Sequence, residues 1–289
     1  MKIFKNNQGE VRSGWKITVM LLVQYIFLFV ALNLIVLIMQ IGKVENVGED
    51  NLMLIAMFSQ EIIMILAPIF CWKIIFRRDL NLIGVKSLSK KETKNLGIGL
   101  IMGIIAITLT FIFILLSKSG SLVNSLLAPN FSSELIIYCI LFIFVGIAEE
   151  LVSRGYIIGA MELSGNNKVI SILVSAVMFS LFHYGNNGFS FMPFLNIFLV
   201  GILFGIMYVK TKSICLSTGY HITWNFFQGC VYGMSVSGIN TPRLYEMTFN
   251  GNTFLNGGTF GPEGGFFVTL ITILMIALVC FTMKNKKIQ

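Results

Sequence analysis

Two adjacent carboxylates, one arginine, two histidines and an asparagine carry the chemistry available to this sequence. They occur as Glu149-Glu150-Leu151-Val152-Ser153-Arg154-Gly155, as Phe179-Ser180-Leu181-Phe182-His183 and as His221-Ile222-Thr223-Trp224-Asn225, and His183 and His221 are the only histidines in the chain. On a helix, residues four apart share a face, so Glu150 can pair with Arg154 while Glu149 points ~100° away and keeps no such partner. One carboxylate is then held ionised by a guanidinium. The other, desolvated beside a like charge, is placed to take a proton from water.

Glu149, His183 and His221 together make a ligand set compatible with a catalytic zinc ion that keeps one position open for water. A metal-free arrangement uses the same residues differently. Glu149 and His183 would polarise a water, and His221 with Asn225, one turn apart on one face, would donate to the oxyanion of a tetrahedral intermediate. Either arrangement hydrolyses a peptide bond. The plainer readings are an ion cluster at a helix end for the acids and a hydrogen-bonded core residue for each histidine. Against them stands the apolar setting, in which ionisable groups are costly and rarely present without a role.

That setting follows from composition. Apolar residues make up 56% of the 289 and charged residues 12%, with mean hydropathy +0.84; soluble domains run nearer ~45 to 50% and ~25%. The 27 glycines and 26 phenylalanines suit a bundle of membrane helices, where glycine lets backbones approach closely. The fold expected is all-α, a polytopic transmembrane bundle of about eight spans. The apolar runs are Ile17 to Gln40, Leu52 to Phe76, Leu96 to Leu116, Glu134 to Gly155 continuing to Glu162, Val169 to His183, Pro193 to Val209, Ser213 to Val231 and Gly265 to Met283. The first run is long for a signal-peptide core and lacks a following cleavage site, so it is expected to stay as a span.

The net charge of +8 comes from short clusters between apolar runs rather than from a basic helical face, which argues against nucleic acid as a partner. Lys2, Lys5, Arg12 and Lys16 precede the first run; Arg77, Arg78, Lys86, Lys90, Lys91 and Lys94 follow the second; Lys284, Lys286 and Lys287 end the sequence. The alternate loops are poor in cations: Gly42 to Asn51 sets Lys43 against Glu45, Glu49 and Asp50, and Gly233 to Gly264 has only Arg243. The positive-inside rule then puts both termini in the cytoplasm.

Three segments divide the chain: 1–133 with the first three helices, 134–231 with helices four to seven and the chemistry, and 232–289 with a glycine-rich outer loop and the last helix. Cys71, Cys139, Cys215, Cys230 and Cys280 stand singly in apolar segments without CxxC spacing, as small core residues. Glu61, a lone carboxylate in the second run, is expected to make a polar helix contact or face a wet cavity, and is not counted as catalytic. At ~1.5 Å per residue, Glu149 lies ~20 Å and His183 ~24 Å from the turn at Glu162 to Asn167, so the two reach similar depths. His221 lies only ~12 Å from Ser213 and needs a tilt or a broken helix to join them.

The segment Ala148 to Gly155 resembles the EExxxRG motif of the CPBP family, the CAAX proteases and bacteriocin-processing or immunity proteins also called Abi. Phe179 to His183 is similar to its FxxxH motif and His221 to Asn225 to its HxxxN motif, in the same order, over roughly Glu134 to Val231. The resemblance implies an eight-helix intramembrane endopeptidase, of the type II CAAX prenyl endopeptidase kind, whose site opens toward the cytoplasm. It implies Glu149 as base supported by Glu150 and Arg154, His183 in water or metal binding, and His221 with Asn225 at the oxyanion or metal. The expected partners are a membrane-associated peptide or protein tail and the lipid bilayer, and the expected location is a bacterial plasma membrane. The other classes are a non-catalytic bacteriocin immunity or binding protein and a proton-coupled transporter. The second is disfavoured because no repeat relates the halves of the chain.

Overall fold

The computed structural model describes residues 3–6, 9–42 and 48–283. Of the charges used for sidedness above, Lys2, Lys43, Glu45, Lys284, Lys286 and Lys287 lie outside the described residues.

Each apolar run forms one principal helix: α1 Ser13–Ile41, α2 Glu49–Ile75, α3 Lys90–Leu116, α4 Glu134–Leu163, α5 Lys168–Phe182, α6 Phe191–Thr211, α7 Cys215–Phe226 and α8 Phe266–Thr282. The helix starts follow local capping chemistry. Ser89 accepts from the Glu92 amide to open α3, and Asn167 accepts from the Val169 amide to open α5. Helices α1, α2, α3, α4 and α6 are long and apolar enough to cross a membrane; α5 and α8, of 15 and 17 residues, are shorter apolar helices. Leucine, isoleucine and phenylalanine are exposed along α1 and α8, as a lipid-facing surface requires.

Helix α7 is different in kind. Its sequence is rich in Ser, Thr, His and Asn, and it is buried from Leu216 to Asn225 except at half-buried Ile222. It is the axis of the bundle rather than a lipid-facing element, so its polar side chains meet protein, not hydrocarbon. Glycines make room for it. A Cβ on Gly99 or Gly103 of α3 would lie 2.1 Å from the Leu216 carbonyl oxygen or 2.4 Å from that of Tyr220, and one on Gly146 of α4 would strike Ile222. Gly99 and Gly103 form the small-xxx-small spacing that permits such approach.

The all-α expectation needs one addition. Strands β1 Gly120–Leu122 and β2 Met247–Phe249 pair antiparallel, with Gly120 opposite Phe249, and tie the α3–α4 linker to the glycine-rich loop. That loop is tied to the helices by hydrogen bonds. Asn196 of α6 donates to the carbonyls of Glu263 and Gly265, and Gln228 donates to the Ser235 carbonyl and the Glu263 carboxylate.

Contacts between helix ends fix the order of the layers. Asn166 donates to Ser13, Glu10 pairs with Arg78, Glu162 with Lys212, and Lys210 reaches the Met283 carbonyl. The starts of α1 and α5 and the ends of α2, α4, α6 and α8 therefore meet at one end of the bundle. The α5–α6 turn and the β1–β2 loops gather at the other, where Asn186 donates to Ser237 and the Val123 amide to Glu246.

Candidate active site

The EExxxRG segment straddles a change of helix type. Helix α4 is α-helical through Glu150 and winds wider, as a π-helix, from Leu151 to Ile158. The uniform α-helix assumed from sequence is corrected here: π-helical turns loosen the carbonyl ladder and recur at functional sites. The Ser153 carbonyl accepts from the Ser175 hydroxyl of α5 at 2.6 Å, so a group inside the widened turn is satisfied by a neighbour.

Arg154 and Glu150 are both fully buried, with Arg154 Nε 3.2 Å from Glu150 Oε2. The guanidinium carbon lies 4.1 Å from the Phe179 ring centroid and 5.1 Å from that of Phe204. The cation is thus held by one carboxylate and two aromatic faces, contacts strengthened by exclusion of water. The expected Glu150–Arg154 pair is present.

Glu150 does more than pair with arginine. Its Oε1 lies 3.3 Å from His221 Nδ1. An ionised carboxylate only accepts, so Nδ1 carries the hydrogen and the Nε2 lone pair of a neutral ring is turned outward. Nε2 is 3.7 Å from Glu149 Oε2. Glu149 therefore faces His221, one of the two histidines grouped with it from the sequence; its side chain retains 18% exposure.

The level of His221, unresolved by counting residues, follows from where α7 begins. The segment Leu80–Ile83 dips into the bundle: Ile83 is fully buried, the Ile214 amide bonds to the Gly84 carbonyl, and Gly155 lies against both Ile83 and Ile214. Helix α7 thus starts level with Gly155 rather than with Glu162. From there Glu149 is ~9 Å along α4 and His221 ~10 Å along α7. No break in α7 is needed.

His183 ends α5, and its Nδ1 lies 2.9 Å from the Phe179 carbonyl. A carbonyl also only accepts, so this ring too keeps Nε2 as its basic nitrogen. A cavity of about 280 Å³ is lined by Glu149, His183, His221 and Asn225, together with Glu61 of α2 and Glu263 of the glycine-rich loop. Glu61 is buried, and its Oε2 has no hydrogen-bond partner. Its place on the cavity wall is one of the two expected for a lone carboxylate in an apolar run. Glu263 was not singled out, because nothing local marks a loop carboxylate that folds back into a bundle. Burial pushes its carboxyl up to about 7, against hydrogen bonds from Gln228 and Ser237 that favour the anion.

The donor set partly fits a metal. Metal-binding histidines commonly give their second N–H to a carboxylate or carbonyl, as both do here. Yet among the described residues no three His, Cys, Asp or Glu side chains gather at metal-binding spacing. Glu149, His183 and His221 share the cavity without forming a three-ligand cluster.

The cavity and fold define a helical membrane protein with a buried acid–histidine site. Residues 131–227 match the family model described as Rce1-like, type II CAAX prenyl endopeptidase. The matched stretch includes α4 to α7 and Glu149, Glu150, Arg154, His183, His221 and Asn225. No curated protein matches the chain.

Proposed function

We propose that the protein is an intramembrane endopeptidase of the CAAX-protease type, cutting a peptide bond in a membrane-associated peptide or protein tail with water activated by Glu149. In this reading all eight principal helices cross a bacterial plasma membrane and the basic ends are cytoplasmic. The observation that carries it is the chain of buried contacts from Arg154 through Glu150 to His221 and on to Glu149.

Each residue has a derivable task. Arg154 pairs with Glu150, and Glu150 orients His221 through Nδ1. Glu149, half-buried on the cavity wall, takes a proton from a water that the His183 Nε2 lone pair helps to orient. The hydroxide attacks the scissile carbonyl, and Asn225 donates to the resulting oxyanion. The proton on Glu149 passes to the leaving nitrogen directly or through His221 Nε2. Once protonated there, the imidazole also donates to the oxyanion, as the C–N bond breaks and the amine departs neutral.

A zinc ion would be held by Glu149, His183 and His221 and would act as a Lewis acid, which requires the three to draw together. The metal-free course asks for no three-ligand cluster, and none gathers among the described residues. Glu149→Gln keeps the shape and removes the base. It should lower cleavage by ~10² to 10⁴-fold with the fold intact, and retained cleavage would overturn the assignment. Activity should survive chelation. Stoichiometric zinc lost together with activity would replace the metal-free course with the zinc one.

A further inference from the structure

The two ends of the bundle differ in charge, and the cavity belongs to one of them. Arg77, Arg78, Lys86, Lys90, Lys91 and Lys94 sit in or beside the α2–α3 linker, with Lys168, Lys210 and Lys212 at the same end. At the other end the described cations are Lys118 and Arg243, the latter 4.0 Å from Glu246, among Glu49, Asp50 and Glu134. Short-loop Lys and Arg orient membrane proteins with the basic side in the cytoplasm.

The cavity lies away from that basic side. Asn186 of the α5–α6 turn and Ser237 and Ile239 of the glycine-rich loop line it, all at the cation-poor end. Toward the basic end it is sealed by a packed core in which Trp72, Ile83, Tyr156, Ile157, Ile158 and Tyr208 are buried. Sideways, Gln60 of α2 and Phe182 of α5 both line the cavity and are both exposed on the surface of the bundle. They mark a slot from the hydrocarbon to Glu149. Cytoplasmic basic loops and a site opening to the cytoplasm, both expected from the sequence, cannot hold together in this fold.

Resting on the peptidase reading, we propose that the cavity is served from the non-cytoplasmic half of the bilayer. Its substrate is a membrane-inserted apolar segment whose scissile bond lies near that face, entering between α2 and α5. Apart from its polar line the cavity is walled by Met57, Phe142, Phe179, Ile197 and Val200, which suits aliphatic or aromatic flanks on the substrate. A tail displayed in the cytoplasm would have to cross the sealed core to reach Glu149.

Sidedness can be tested without activity. Asn240 at the cation-poor end and Ser87 between Lys86 and Lys90 are exposed, so Asn240→Cys and Ser87→Cys are made in the full chain with its own cysteines kept. A membrane-impermeant maleimide applied to intact cells should label Asn240→Cys several-fold above the unaltered chain, and Ser87→Cys only after permeabilisation. The reverse pattern, or equal labelling of both, would overturn the orientation. The substrate class is read separately from the termini of membrane proteins in cells carrying the unaltered chain or Glu149→Gln. Ends that depend on Glu149 should map to non-cytoplasmic ends of apolar segments. Ends in cytoplasmic tails would overturn the substrate class, and no Glu149-dependent ends would overturn the peptidase reading while the labelling still decides orientation.

Discussion

Glu150 Oε1 lies 3.3 Å from Nδ1 of His221, across 71 residues of chain, while its other oxygen lies 3.2 Å from Arg154. One buried carboxylate thus serves both as counter-ion and as orienting group. Removing either neighbour leaves a charge without compensation, and in a buried setting that costs ~3 to 5 kcal/mol. Arg154→Met should destabilise by about that amount. Arg154→Met combined with Glu150→Gln should recover most of it while leaving cleavage low, because the imidazole loses its anionic partner. Thermal unfolding in detergent beside cleavage rates separates the two effects, and additive losses in the double variant would show that the pair is not coupled.

Glu61 is a buried carboxylate with an unpartnered oxygen in the cavity wall. A buried polar group lacking a partner costs ~1 to 3 kcal/mol, so Glu61→Leu should raise thermal stability by up to that amount. If Glu61 helps to keep the cavity wet, cleavage falls in the same variant, a trade expected where function retains an unfavourable group. Unchanged stability would mean that the free oxygen is solvated.

The grip of α3 on α7 predicts a remote effect on the site. Gly103→Ala places a methyl group 2.4 Å from the Tyr220 carbonyl oxygen, next to His221, so α7 must shift. Overpacking of this kind costs ~1 to 3 kcal/mol, and cleavage should fall because α7 carries His221 and Asn225. Gly97→Ala on the same helix, with nothing within 4 Å of the added carbon, is the control and should be near neutral in both measurements.

Glu263 makes stability depend on pH. Its carboxyl, raised by burial to about 7, binds a proton in the folded protein at pH values where the unfolded chain, near the ordinary 4.5, has lost it. Its contribution to stability is therefore fully present below about 4.5, falls as pH rises toward about 7, and falls no further above it. A difference of this size corresponds to at most ~3 kcal/mol. Melting temperature followed from pH 5 to 8 should fall more steeply for the unaltered chain than for Glu263→Gln, and equal slopes would remove Glu263 as the cause.

The helices and the candidate site residues were legible in the sequence because both signals are local. A run of apolar residues must become a helix in lipid, where backbone groups find no other partners, and its length is read by counting. Glu149, Glu150 and Arg154 declare themselves by their cost in such a run, and the four-residue spacing is enough to join Glu150 to Arg154. What spacing could not give was any relation between helices.

The His221–Glu150 contact depends on α7 starting deep in the bundle, on a floor made by Ile83 and Gly155 that no count along α7 reveals. The recruitment of Glu61 and Glu263 depends on α2 and the glycine-rich loop folding against the same cavity, and the partner that the Ser153 carbonyl finds within the π-helical stretch, Ser175, comes from another helix. The sequence by itself determined which segments are helices and which side chains are too expensive to lie in a membrane without purpose. The tertiary structure decided which of those side chains meet and nearer which end their cavity lies, because depth and facing are set by packing between helices, where close-packed glycines and the buried Ile83 segment fix the level at which α7 begins.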